Sequence, residues 1–185
     1  ADPFRLVYVS TVDLYKHQSE VVRAVAALRS RGLPVALDLI GPAYPRALRA
    51  LEATLDAVDP KREWTRYLGP VPHEDLHNLY QRADLGIFAS SCENQPIILL
   101  ETMAAGLPLA CSDRGPMPAL LGPAGTSFDP ENSESIATAL ARLIESPKRR
   151  HDAAADAFER AATYSWPTSA AKTLNFLADV ATGRP

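Results

Sequence analysis

Long apolar runs are missing from this sequence: nothing in it approaches the roughly 20 consecutive apolar residues of a membrane-crossing helix. Excess charge of one sign is missing too. Nineteen Lys and Arg stand against 22 Asp and Glu, a net charge of −3. That leaves no basic footprint for nucleic acid, although a few local cations suffice to hold a phosphate. Cysteine is scarce, with Cys92 and Cys111 showing neither disulfide-framework nor metal-pair spacing. Each lies in or beside an apolar run, so both are expected to be small buried hydrophobes in a reducing, cytoplasmic setting. No Gly-x-Gly-x-x-Gly follows the first strand-like run, which weakens a nicotinamide or flavin reading. No signal-peptide pattern precedes that run, but a mature or excised chain would look the same. No linker, low-complexity tract or internal repeat interrupts residues 1–185, and a single domain is expected.

What is present is an alternation of two periods. Short runs rich in β formers read as strands at Phe4–Ser10, Pro34–Gly41, Trp64–Leu68, Leu85–Ala89, Leu107–Cys111 and Thr126–Asp129. Between and after them, apolar residues at helical spacing predict helices at Ser19–Leu28, Ala43–Val58, Glu74–Arg82, Pro96–Ala105 and Ser133–Ile144. Two more run from Pro147 to about Thr163 and onward from Trp166. Strands alternating with helices imply βαβ units: an α/β, Rossmann-like, doubly wound parallel sheet of about six strands with helices on both faces. Ligands of such sheets bind outside the carboxyl ends of the strands. Four segments, Ser10–Lys16, Gly41–Tyr44, Gly69–His73 and Ala89–Pro96, are therefore expected to face one crevice.

The fourth segment carries the chemistry. Glu93 lies in the loop after the fourth strand, and Glu101 on the helix that follows, among Ile97, Ile98, Leu99, Leu100 and Met103. A carboxylate on so apolar a helix is costly unless something binds it. Pro96 suits the first helical position, so the next amides, at Ile97 and Ile98, are expected to point out of the helix start toward an anion such as a diphosphate. A ribose offers two neighbouring hydroxyls to one carboxylate, and a second carboxylate can do the same for a sugar.

Residues 88–108 (FASSCENQPIILLETMAAGLP) resemble the Glu-seven-Glu signature of glycosyltransferase family 4, with its preceding strand and its Ala-x-Gly-x-Pro after. Other landmarks follow in the family's order: Lys16, Leu68-Gly69, Leu79-Tyr80 with Ala83-Asp84, and Ser165-Trp166. The resemblance implies the C-terminal, donor-binding domain of a two-domain transferase of the glycosyltransferase-B fold. Such an enzyme moves a hexosyl group from a nucleoside diphosphate sugar to a saccharide or glycolipid acceptor, with retention and with neither metal nor cofactor. It assigns Glu101 to the ribose hydroxyls, Glu93 to the hydroxyls of the reacting sugar, and Lys16 to the diphosphate leaving group. It also implies a partner, an N-terminal acceptor domain, through which any membrane association would run; without it the fragment is expected to be inactive. Two departures stand out. The family's Gly-Arg after the first strand is absent, leaving the Ser10 and Thr11 hydroxyls as phosphate donors. Asn94-Gln95-Pro96 replaces its Gly-aromatic-Gly, so Asn94 and Gln95 are the candidate contacts near the sugar.

Two alternatives stay open: a non-catalytic nucleotide-binding module on the same fold, and a sugar-nucleotide epimerase. His73-Glu74-Asp75-Leu76-His77 matches the zinc-protease pattern His-Glu-x-x-His. It opens just after Pro72 on a short helix, and the expectation is a solvated helix start. Trp166 is expected to be a core or interdomain residue.

Overall fold

The computed structural model describes residues 2–122 and 125–183. Six parallel strands, β1 (Phe4–Val9), β2 (Val35–Ile40), β3 (Thr65–Tyr67), β4 (Leu85–Phe88), β5 (Leu109–Ser112) and β6 (Thr126–Phe128), form one sheet in the order β3-β2-β1-β4-β5-β6. Strand order reverses between β1 and β4, and the loops that leave their carboxyl ends flank that reversal. The helices are α1 (Gln18–Ser30), α2 (Pro45–Val58), α3 (Leu76–Gln81), α4 (Ile97–Ala104), α5 (Met117–Leu121), α6 (Ser133–Ile144), α7 (Pro147–Ala161) and α8 (Trp166–Ala181).

Alternation along β1 builds two cores. Leu6 and Tyr8 join the larger, with Val21, Val25 and Leu28 of α1, Leu51 of α2 and Leu140 of α6. Val7 and Val9 join the smaller, with Ile40 and with Leu76 and Tyr80 of α3. Strands buried on both faces are thus held by helices on both sides, as the near-continuous apolar runs require.

The ends of β1 and β2 are pressed together at the ligand edge. Gly41 has φ 140°, and a Cβ there would collide with the Ser10 carbonyl oxygen. Pairing continues past the strands: Val12 N–H donates to the Pro42 carbonyl (2.7 Å) and Tyr44 N–H to the Val12 carbonyl (3.1 Å). That bridge, which takes in Ala43, is why α2 starts at Pro45 and not at Ala43.

Other departures have local causes. Pro96 is the cap before α4 (φ −81°, ψ 78°), not its first helical residue. The segment after Pro72 starts as a 3-10 turn, His73–Asp75, before α3. A further 3-10 turn at Leu14–Lys16 and the five-residue α5 are too short to leave a periodicity. Cys111 is buried, and burial pushes its thiol up to about 12. Cys92 is exposed, because the chain has already turned out of β4 at Ser90–Ser91. Trp166 is 73% exposed, so it is no core residue. Among the described residues no helix is long and apolar enough to cross a membrane.

Candidate functional site

The loop after β1 is rigid for reasons visible in its own residues. Asp13 accepts from the Leu14 amide at 2.7 Å and caps the 3-10 turn. His17 takes a left-handed conformation (φ 52°), reversing the chain into α1. The buried Tyr8 hydroxyl donates to the Lys16 carbonyl at 2.8 Å. Burial pushes the Tyr8 phenol well above its ordinary range, so it remains a neutral donor. These contacts fix the backbone of Lys16, whose side chain is 11% exposed and turns inward over the rings of Tyr15 (5.0 Å) and Phe88 (5.4 Å).

Its ammonium forms an ion pair with Glu93, whose side chain is 15% exposed. Two charges so far from water hold each other in place, since removing either would strand the other. The pair spans the strand-order reversal, joining the β1 loop to the β4 loop. Two more contacts close the same seam: Ser91 N–H to the Tyr15 carbonyl (2.8 Å), and His17 Nε2 to Ser91 Oγ (2.9 Å). Burial pushes the His17 imidazole down, which favours the neutral ring in that contact.

Ser10 and Thr11 sit where phosphate donors were expected, but the Ser10 hydroxyl donates to the Thr11 carbonyl at 2.9 Å. That contact engages its proton within the loop. Thr11 is half-buried, and its hydroxyl has no hydrogen-bond partner among the described residues. Asn94 and Gln95 are exposed in the loop. Of the two amides expected to face an anion, that of Ile97 is engaged by the Gln95 carbonyl at 3.0 Å, a consequence of Pro96 standing outside the helix. The Ile98 amide meets no acceptor among the described residues and remains the candidate anion donor.

Glu101, one turn into α4, makes a different contact. Its Oε1 lies 3.0 Å from His73 Nε2, in the segment after β3, while its Oε2 is sealed from solvent with no hydrogen-bond partner. The Glu101 carboxylate beside His73 raises that imidazole's pKa, through the hydrogen bond and then the charge itself. Below it lies Tyr80, whose phenol burial pushes up to about 12. A cavity of about 230 Å³ opens beside Glu101, walled by Gln95, Ile97, Leu100, Tyr164 and Trp166.

The four segments expected at one crevice are therefore stitched together. β1 and β2 loops pair through Val12, the β2 and β3 loops through Gly41 N–H and the Gly69 carbonyl (2.9 Å), and the β1 and β4 loops through Lys16 and Glu93. Glu93 and Glu101 meet different partners along this carboxyl edge, and Gln95 lines the cavity that holds Glu101. His73, read from sequence as part of a solvated helix start, is the residue that reading missed. Its contact lies 28 residues away in the chain and leaves no local pattern. The second histidine of the zinc-like pattern, His77, donates from Nδ1 to the Glu74 carbonyl at 2.6 Å, so the two rings serve separate contacts. Among the described residues no three potential metal ligands cluster.

Residues 1–160 match the family model of the glycosyl transferases group 1. The chain belongs to that family. Among relatives of this glycosyltransferase-B chain, the D-inositol 3-phosphate glycosyltransferase of Thermobispora bispora is 30% identical over 186 residues, covering 93% of this chain and 42% of that protein. O-antigen chain mannosyltransferase B of Escherichia coli is 33% identical over 112 residues, 60% of this chain and 29% of that one. The chain thus spans well under half the length of these relatives. The fold matches Anabaena HepE, solved in complex with UDP and glucose, with a TM-score of 0.86 at 20% identity over 97% of this chain and 49% of that one.

Proposed function

We propose that the chain is the C-terminal, donor-binding domain of a retaining, metal-independent glycosyltransferase, and that residues 1–185 form one domain whose acceptor-binding partner lies outside this sequence. The Lys16–Glu93 ion pair carries the reading. It places a cation and a carboxylate at the strand-order reversal, the position where doubly wound sheets bind phosphorylated ligands. Glu101 takes the ribose hydroxyls and Glu93 those of the sugar, with the Ile98 amide at the start of α4 facing the phosphates between them.

Transfer breaks the bond between the anomeric carbon and the diphosphate, and negative charge builds on the departing oxygen. Lys16 exchanges the Glu93 carboxylate for that phosphate and stabilises the charge. The freed carboxylate then orients the sugar ring. A hexosyl group goes to a saccharide or glycolipid acceptor held by the partner domain, in the cytoplasm. UDP and UDP-glucose in a protein of the same fold support a nucleotide-sugar donor, the mannosyltransferase relative supports hexosyl transfer, and the D-inositol 3-phosphate relative supports glycosyl transfer. The engaged Ser10 hydroxyl, where the family's phosphate arginine would help, favours a second reading: a non-catalytic nucleotide-binding module.

Calorimetric titration with UDP-glucose, GDP-mannose and ADP-glucose tests the site. One of them is expected to bind; failure of all three, with the protein folded, overturns the assignment. Transfer by the full-length protein, lost on Glu93→Ala, removes the second reading.

A further inference from the structure

Glu101 is poorly prepared, in the free protein, for the ligand just assigned to it. A ribose presents two vicinal hydroxyl donors and requires two free acceptor positions on the carboxylate. Oε2 is shut off from solvent, and Oε1 is already hydrogen-bonded to His73 Nε2 at 3.0 Å. The occupant is easily removed. The His73 side chain is 80% exposed, on a turn with no buried residue. Among the described residues, the one charged group besides Glu101 on α4 that acts on it is Glu74 of its own turn, whose effect is smaller.

We propose that His73 is a further residue of the nucleotide site: a positioning residue that holds the Glu101 carboxylate closed and is exchanged for the ribose hydroxyls when donor enters. The inference rests on reading Glu101 as the ribose carboxylate. The exchange is a competition, so its strength follows the charge on the imidazole. A protonated ring holds the carboxylate as an ion pair; a neutral ring holds it by a weaker hydrogen bond. Because the contact raises the His73 pKa, the latch is fully engaged below the ordinary imidazole range and loosens as pH rises through the raised value. Donor affinity therefore rises with pH. The same sign holds for the contact's own share of folding stability, which is present at low pH and lost at high pH.

UDP-glucose and GDP-mannose suit the test, because each phosphate of a sugar nucleotide carries one ester and one anhydride bond, keeps only a strongly acidic oxygen, and stays ionised throughout. Their affinity for the wild-type chain is expected to increase about two- to fivefold between about pH 5.5 and about pH 8.5, the range of an exposed ion pair. His73→Ala is expected to bind at every pH at least as tightly as wild type does at the upper end, with a flat profile. Weaker binding by that variant, or an unchanged slope, overturns the latch and leaves the Glu101 assignment standing. The His73 imidazole titrated by NMR in the ligand-free chain gives an independent readout. Its pKa is expected above the ordinary value and to fall in Glu101→Gln, and an unmoved titration means the contact does not exist. Failure of every sugar nucleotide to bind brings down both readings, whatever the NMR titration shows.

Discussion

Lys16 and Glu93 are each nearly withdrawn from water, and the protein tolerates them only as a pair. Lys16→Ala leaves a partly buried carboxylate uncompensated and is expected to destabilise the chain by up to about 3 kcal/mol in urea unfolding. The double replacement Lys16→Met with Glu93→Gln removes both charges and is expected to recover most of that loss. If the double variant is as unstable as the single, the pair is not what holds the two loops. The types of these residues and their strand ends were legible in the sequence, because strand alternation says which loops share an edge. Their contact was not: 77 residues separate them. The same holds for His73 and Glu101, and for Ser10, whose hydroxyl turns to its neighbour's carbonyl for reasons of loop geometry that periodicity does not carry.

Among the elements, one junction fixes where β3 begins, at the end of the sheet away from the ligands, and another sets the shape of the ligand edge. Asp59, 3% exposed at the end of α2, accepts from the amides of Glu63 (2.9 Å), Trp64 (3.2 Å) and Thr65 (2.9 Å), and so aims β3. Asp59→Ala leaves those donors unsatisfied and is expected to cost about 3 kcal/mol by urea unfolding. Gly41→Ala must both strain a left-handed φ and push a Cβ against the Ser10 carbonyl. It is expected to lower Tm and to weaken nucleotide binding together, because the displaced backbone belongs to the β1 loop. A variant with wild-type Tm would show that the strand ends can separate freely. All six strands were legible from apolar runs and turn residues. Helix starts were less so: tertiary pairing at Ala43 delays α2, and Pro96 acts as a cap where its lack of an N–H suggested a first helical residue.

At the scale of the whole molecule, α8 stands apart. It buries none of its residues, and Trp166, Leu174, Phe176, Leu177 and Val180 are all 55% exposed or more. Helical periodicity predicted an amphipathic helix there; what its apolar face packs against lies outside this sequence in the two-domain reading. Ending the chain after Thr163 is therefore expected to leave Tm within about 2 °C. A larger drop would mean that α8 stabilises this domain by itself. In the same reading, donor binding and transfer separate: the 185-residue chain binds its sugar nucleotide, and transfer to an acceptor requires the partner domain.

The central claim is that one crevice grips both ends of an activated sugar through two different carboxylates. The most direct measurement compares the affinities of the matching nucleoside diphosphate and its sugar-bearing form in two variants. Glu101→Ala is expected to weaken both by at least about tenfold, the loss of hydrogen bonds to a charged group. Glu93→Ala is expected to weaken the sugar-bearing form but not the nucleoside diphosphate, which no longer competes with that carboxylate for Lys16 and binds at least as tightly as before. Equal losses for both ligands in both variants would contradict the division of roles.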